Sequence, residues 1–289
     1  MEKIRAGVIG TGFIGPAHIE ALRRLGFVDV VALADITQEI AEQKAEQLNI
    51  AKAYGDWSKL LSDPEVQVVH ICTPNHLHYP IAKAAMLAGK HVVCEKPLSL
   101  TIEEAADLVE IAKRTGCVNA VSFNIRFYPL IQQIRQMVLH GDLGRIFAIN
   151  GTYQQDWLQK DTDYSWRLEP EKSGSTRAVA DIGSHWMDTM EYMTGLKIER
   201  LISDFATFYP VRKKPNQAVE TFSGKQQKIV SYTEVPIQTE DYASMLFRCN
   251  NGAHGSMVVN QAAAGCKNRI VFEIYGTKAG VRINTERPN

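Results

Sequence analysis

Five short runs rich in Val, Ile, Ala and Cys within the first 123 residues constrain this chain more than any other feature. They lie at 4–9, 28–34, 66–72, 91–94 and 118–123. They are apolar nearly throughout instead of alternating, which is the pattern of strands covered on both faces. Between them, apolar residues recur at three- and four-residue spacing over 13–25, 38–48, 77–88 and 102–115, which predicts helices. Strands alternating with helices predict a parallel, doubly wound sheet. Gly26, Gly89 and Gly116 each follow a helical run, where helix C-caps are expected.

The first run ends in Gly10-Thr11-Gly12-Phe13-Ile14-Gly15, a G-x-G-x-x-G pattern. Alone the pattern is weak, because short glycine patterns occur by chance. Here a strand precedes it, a helix follows, and Asp35 closes the next strand 20 residues after Gly15. That is the spacing of an acid that binds a dinucleotide ribose. Gly10 permits the tight turn, Gly12 lets the backbone approach a pyrophosphate, and Gly15 lets the helix pack on the strand. The helix N-terminus presents unpaired N–H groups to the anion. A carboxylate at 35 accepts from ribose hydroxyls and repels a 2′-phosphate, and Ile36 and Thr37 supply no arginine to offset that repulsion. NAD is therefore expected over NADP.

Charge and composition exclude other classes. The 289 residues carry 32 Lys plus Arg against 32 Asp plus Glu, so no basic surplus is available for a nucleic acid or an anionic membrane surface. With 45% hydrophobic and 22% charged residues the composition is globular, and the length suggests two domains. No stretch approaches the roughly 18 consecutive apolar residues of a membrane span, and the start runs straight into a strand without a signal-peptide core. A cytoplasmic location is expected. Cys72, Cys94, Cys117, Cys249 and Cys266 are scattered and never spaced as CxxC, which suggests neither a disulfide framework nor a zinc site.

Two further segments carry chemistry. Cys94-Glu95-Lys96-Pro97 and Thr73-Pro74-Asn75-His76-Leu77-His78 both end strands at the ligand edge of the sheet. Lys96 reads either as a site residue or as a surface lysine. The backbone at Thr73 and Pro74 is expected to line the cofactor, with Asn75 and His78 as polar contacts or as solvent-facing helix starters. In Asp181-Ile182-Gly183-Ser184-His185, a helix beginning near Asp181 and running to Met193 places Asp181 and His185 one turn apart on one face. An Asp beside a His suits a proton shuttle, and an N-capping Asp with a half-buried His is the alternative.

G-T-G-F-I-G at 10–15, Asp35, T-P-N-H-L-H at 73–78, E-K-P at 95–97, N-I-R-F at 124–127 and D-I-G-S-H at 181–185 occur together in one order. In this the chain resembles the glucose-fructose oxidoreductase, inositol dehydrogenase and rhizopine-catabolism (Gfo/Idh/MocA) family over nearly its whole length. The resemblance implies an α/β Rossmann domain over 1–124, then an α+β domain over 125–289 built on a large, open, mainly antiparallel sheet. It also implies NAD(P)-dependent oxidation or reduction of a secondary alcohol on a sugar, cyclitol or sugar derivative. Carried over residue by residue, it implies His185 as general base, Lys96 stabilising the developing alkoxide, and Asp181 contacting substrate. Glu95 and Lys96 belong to its cofactor-side motif, and Asn124 and Arg126 edge the nicotinamide and substrate. Two departures stand out. The run before Asp181, Ser173 to Ala180, is not glycine-rich, and its Arg177 faces either an acidic substrate or solvent. Family chains also commonly continue beyond this chain's last residue, so the second domain is expected to be short at its C-terminus.

From about Arg145 the runs alternate, at 146–153, 200–209, 228–235, 242–248, 254–260 and 269–275, which predicts an antiparallel sheet with one covered face. The stretch 209–227, with Arg212, Lys213 and Lys214, reads as a solvated polar excursion. The bare sheet face is expected to be covered by self-association into a homodimer or homotetramer. Trp157, Tyr164, Trp166 and Arg167 lie among Asp156, Asp161 and Asp163. Aromatic faces with carboxylates suit a polyhydroxylated ring, and the tryptophans equally suit anchoring a loop. Two other readings of the whole chain are an NAD-using glycoside hydrolase on the same scaffold and a cofactor-binding regulatory protein without turnover.

Overall fold

A computed structural model describes residues 3–216 and 231–286. The chain divides into two compact units, Met1–Ser122 with Glu171–Gly174, and Phe123–Pro170 with Ser175–Asn289.

The first unit runs β1 (Ile4–Ile9), α1 (Ile14–Arg24), β2 (Val28–Ala34), α2 (Gln38–Leu48), β3 (Lys52–Tyr54), α3 (Trp57–Leu61), β4 (Val68–Ile71), α4 (His78–Leu87), β5 (His91–Cys94), α5 (Ile102–Thr115) and β6 (Asn119–Val121). All pairings are parallel, in the order β3-β2-β1-β4-β5-β6. The sequence predicts five of these six strands. The additional one, β3, is a half-buried Lys-Ala-Tyr too short to show a period, and pairing with β2 is what makes it a strand. Gly26, Gly89 and Gly116 have φ of 75°, 75° and 68° after α1, α4 and α5. Helix α2 ends on Asn49 in the same left-handed conformation, where no glycine marks the stop. Side chains of Thr37, Asp56 and Thr101 cap α2, α3 and α5. Because β1 and β4 are neighbours although β2 and β3 intervene in sequence, the strand order reverses between them, and Gly10 and Thr73 leave the sheet side by side.

The second unit contains a 3₁₀ turn (Asn124–Phe127), α6 (Pro129–Leu139), β7 (Ile146–Gln154), a π-turn (Val179–Gly183), α8 (Ser184–Thr194), β8 (Ile198–Ala206), β9 (Val211–Pro215), β10 (Tyr232–Pro236), β11 (Tyr242–Cys249), β12 (His254–Asn260), β13 (Arg269–Gly276) and β14 (Gly280–Asn284), while the short helix α7 (Pro170–Ser173) has all but its first residue in the first unit. Its large sheet has the order β14-β13-β7-β12-β11-β8, antiparallel throughout except for the parallel pair β7–β12. Helices α6 and α8 join one face of this sheet in a single core. There Trp186, fully buried, stacks on Phe272 at 5.1 Å and meets Phe247 edge-on at 6.0 Å. Its indole N–H donates to the Val271 carbonyl at 2.9 Å. A Cβ on Gly151 would lie 2.7 Å from that indole nitrogen and 2.1 Å from the Val271 oxygen, so only glycine lets the ring seat against β7. The opposite sheet face bears Asn150, Thr152, Ser256, Glu273 and Arg282 around an open groove. Among the described residues no helix is long and apolar enough to cross a membrane.

Two expectations are corrected by burial. Residues 211–215 form β9, paired antiparallel with β10, and Arg212 is fully buried, so the basic triplet is not a solvated loop. Of the expected strand at 228–235, residues 232–235 fall within β10 and 228–230 lie outside the described residues, as do 217–227 of the expected excursion. Arg177 faces neither substrate nor solvent. It is 1% exposed, and its guanidinium pairs with Asp241 at 2.5 Å. Asp241, with no exposed surface, also pairs with Arg212 at 2.8 Å and accepts from the Phe208 N–H at 2.7 Å. Burial pushes its carboxyl up, but the two guanidinium charges and these donors outweigh burial and hold it below the usual carboxylate range. Arg212 also donates to the carbonyls of Leu158, Lys160 and Asp163, tying β9 to the 158–163 loop. Removing one partner from a buried pair leaves an uncompensated charge. Arg212→Ala is therefore expected to destabilise the protein by about 3–5 kcal/mol, read as a lower urea midpoint, with an unchanged midpoint as the contrary result.

Candidate active site

In the first unit the glycine turn is shaped by three close approaches. Gly10 has φ +88°, and a Cβ there would sit 2.7 Å from the Cys72 carbonyl oxygen, so β1 and β4 end in contact. A Cβ on Gly15 would come within 2.2 Å of the Gly10 oxygen, which brings the start of α1 onto the turn. Around Gly12 nothing lies within 4 Å of such a Cβ, and the residue is exposed, which leaves room for a ligand to meet the backbone. The first turn of α1 holds no acidic residue and its N-cap, Phe13, makes no side-chain cap, so the positive end of the helix lies at the glycine turn. Asp35 ends β2 beside this turn. Its Oδ2 accepts from the Thr11 N–H at 2.9 Å and from the Thr11 hydroxyl, and its Oδ1 accepts from the Ile36 N–H at 2.8 Å. A pyrophosphate cradle, open at Gly12, and a fixed carboxylate at the end of the next strand fit a dinucleotide.

The remaining motif residues of this unit divide into two groups. Thr73 and Pro74 are half-buried at the sheet edge, and Lys96 follows β5 with a cis bond to Pro97. His78, by contrast, is 1% exposed, with its ring nitrogens 2.6 Å from the Pro97 carbonyl and 2.9 Å from the Thr73 carbonyl. The ring ties two strand-end loops together and does not face solvent, which corrects that alternative. Asn75 is also buried and donates to the Ser173 carbonyl at 3.1 Å. Glu95 turns inward too, 3.0 Å from Nε2 of His18, whose Nδ1 is 3.0 Å from Nδ1 of His70. An ionised Glu95 only accepts, so His18 donates to it from Nε2. Burial pushes the Glu95 carboxyl up, but hydrogen bonds from His18 and Ser122 and the Lys96 charge outweigh it and leave it lowered. Burial, reinforced by His18, pushes the His70 imidazole down to about 4.

In the second unit Asp181 lies in the π-turn, which runs directly into α8, so the helix expected to start near Asp181 begins with one wide turn. Asp181 accepts from the Gln261 amide at 2.8 Å and lies 3.4 Å from Nε of Arg167. The Arg167 guanidinium lies 4.6 Å from the Trp166 ring and 6.0 Å from the Trp157 ring, so the expected aromatic cluster does gather, around an arginine that reaches Asp181. Its neighbouring carboxylates are committed elsewhere: Asp156 to Lys267 at 2.6 Å, Asp161 to Lys213 at 2.7 Å and Asp163 to the Lys160 N–H at 2.8 Å. His185 is buried, edge-on to Phe123 at 5.5 Å and 6.5 Å from the Tyr153 ring. Arg126 binds Asp188 through two nitrogens and lies 5.2 Å from the Tyr192 ring, which docks the 3₁₀ turn on α8. Asn124 is exposed at the start of that turn. Tyr153, Arg167 and Gln261 belong to no motif. Only Arg167 carries a signal in the sequence, through its aromatic neighbours.

Residues 4–123 match the model of an oxidoreductase family described by its NAD-binding Rossmann fold, and residues 131–282 match that of the GFO/IDH/MocA C-terminal domain. The levoglucosan dehydrogenase of Pseudarthrobacter phenanthrenivorans is 34% identical, with 99% of this chain and 75% of that protein covered. A solved levoglucosan dehydrogenase in complex with NADH and L-sorbose superposes with a TM-score of 0.90 at 32% identity, covering all of this chain and 74% of the other. An inositol dehydrogenase homolog from Azotobacter vinelandii, complexed with NAD+, gives 0.85 at 28%, covering all of this chain and 72% of the other.

The depressed His70 group makes stability depend on pH. Its folded value lies below its unfolded one, so the unfolded chain binds the extra proton first as pH falls. Stability is then full above about 6.5 and is lost progressively down to about 4. The loss is expected to be about 3 kcal/mol at one pKa unit per 1.36 kcal/mol. His70→Gln should flatten urea-unfolding free energy against pH in this window, and an unchanged slope would assign the dependence to other groups.

Proposed function

Since the chain belongs to the Gfo/Idh/MocA family of oxidoreductases, we propose that it is an NAD-dependent dehydrogenase transferring a hydride between the nicotinamide and a secondary alcohol of a sugar, cyclitol or sugar derivative. The observation that carries the reading is the Gly10–Gly15 turn, open at Gly12 and flanked by Asp35, at the reversal of strand order. Gly10, Gly12, Phe13, Ile14 and Gly15 hold the pyrophosphate, Asp35 the ribose, and Thr73 and Pro74 line the cofactor's path. Residues 1–124 serve the cofactor, and 125–289 serve the substrate.

His185 takes the proton from the reacting hydroxyl, and Lys96 donates a hydrogen bond to the same oxygen as negative charge develops on it. Asp181 accepts from a second hydroxyl and sets the ring's orientation. Phe123 and Tyr153 pack on the His185 ring and limit its rotation. Trp157 and Trp166 offer apolar faces to the C–H side of a polyhydroxylated ring. That relatives carry NADH with L-sorbose or are named for levoglucosan supports a neutral polyol substrate. Self-association into a dimer or tetramer through the outer sheet face, with its Thr152, Ser256 and Glu273, completes the reading.

The test is NADH formation by the purified chain with a panel of polyols and aldoses. At least one should turn over, with NAD favoured over NADP, and Lys96→Ala and His185→Ala should each lower kcat by about 10²–10⁴-fold. Full activity in His185→Ala with loss in Lys96→Ala would move the proton transfer to Lys96. Normal NAD binding without NADH formation from any of them would overturn the assignment, and sugar release without net NADH would point to a hydrolase.

A further inference from the structure

The buried charge cluster of the second unit extends to Asp181 through one neutral side chain. Gln261, with no exposed surface, follows β12. Its backbone N–H donates to the Asp241 carbonyl at 3.0 Å, and its own carbonyl accepts from the Leu158 N–H at 3.1 Å. Its side-chain oxygen accepts from Nη1 of Arg177 at 3.0 Å, and its side-chain nitrogen donates to Oδ2 of Asp181 at 2.8 Å. A guanidinium only donates and an ionised carboxylate only accepts, so one of the two amide orientations satisfies both partners and the reverse satisfies neither. Arg177 is itself held, by Thr239 through Nε and by Asp241 through Nη2. Every link in the chain Arg212, Asp241, Arg177, Gln261, Asp181 is therefore a hydrogen bond between groups with assigned roles, and all but the last side chain are buried from water.

We infer that Gln261 is a positioning residue for the dehydrogenase reaction, fixing the Asp181 carboxylate ionised and in one rotamer for a substrate hydroxyl. The inference rests on the proposed contact of Asp181 with substrate. Arg177 polarises the amide, which strengthens its N–H as a donor in a site of low dielectric. Charged or titratable groups near Asp181 include Arg167, whose Nε lies at 3.4 Å, Tyr153 from β7 and, four residues on in the sequence, His185.

Gln261→Met keeps the volume and removes both amide functions, while Gln261→Glu keeps an acceptor for Arg177 and turns the donor to Asp181 into a competing carboxylate. In both variants the acid limb of kcat/KM should move to higher pH, by about one unit in the methionine variant, a hydrogen bond to a charged group being worth about one pKa unit or more. NAD affinity should be unchanged. The carboxyl ¹³C resonance of Asp181, assigned by its loss in Asp181→Asn, should shift its titration in the same direction whether or not the enzyme turns over. If either variant folds with the wild-type pH profile and an unshifted Asp181 resonance, the inference fails. If the resonance shifts but Asp181→Asn keeps full activity, Gln261 positions Asp181 and the assigned contact of Asp181 with substrate is what fails.

Discussion

Asp241 is a carboxylate without access to water, and the second unit is organised around the need to neutralise it. Two guanidinium groups donate to its Oδ1, Arg177 from the segment before the π-turn and Arg212 from β9. Glu240, also buried, accepts from the N–H groups of Arg177 and Val179, so the cluster is electrically balanced and pins the entry to the π-turn. Such clusters add little net stability compared with an apolar core, but they tolerate no partial assembly. The loop at 158–163, the start of α8 and strands β9 and β11 are held to one arrangement because any other strands a charge.

The first unit was legible in the sequence to a degree the second was not. Its strands are buried on both faces, its helices amphipathic, and three of its helix stops are glycines, so periodicity and punctuation agree at Val8, Ile71 and Gly116. Only β3 and α3 escape, because three half-buried residues have no period and the five residues of α3 span little more than one helical turn. In the second unit the misreadings fall on charge. A basic triplet and a lone arginine look solvated in sequence, and nothing local distinguishes Arg212 from Lys213 and Lys214. The acid that buries it, Asp241, lies 29 residues away. Helix α6 was not anticipated either, although Pro129 opens it and Ile131 and Ile134 share its buried side.

The motif residues themselves prove to be of two kinds. Gly12, Asp35, Lys96 and Asp181 stand at strand or helix ends, where chemistry can reach them. His78, Asn75, Glu95 and Arg126 instead spend their polar atoms on neighbouring protein groups, fixing the loops that carry the first set. A motif read from sequence records both alike, since a residue that shapes a site is as tightly specified as one that acts there. Hydrogen-bond geometry separates them, through the two carbonyls at the His78 ring and the fork of Arg126 on Asp188.

The parallel pairing of β7 with β12 has a consequence for how the protein is made. On the ribosome the six strands of the first sheet are complete once residue 121 has emerged, with no register pair more than 62 residues apart. Strand β7, central in its sheet, has as neighbours only β12 and β13, so residues 146–154 must wait for 254–260 and 269–276 to be synthesised. For about a hundred residues of translation this Ile-, Phe- and Tyr-bearing strand has both edges unpaired. Vectorial synthesis thus separates the two units in time, with an early cofactor-side nucleus and a late closure of the large sheet that exposes β7 to chaperones or to misassembly.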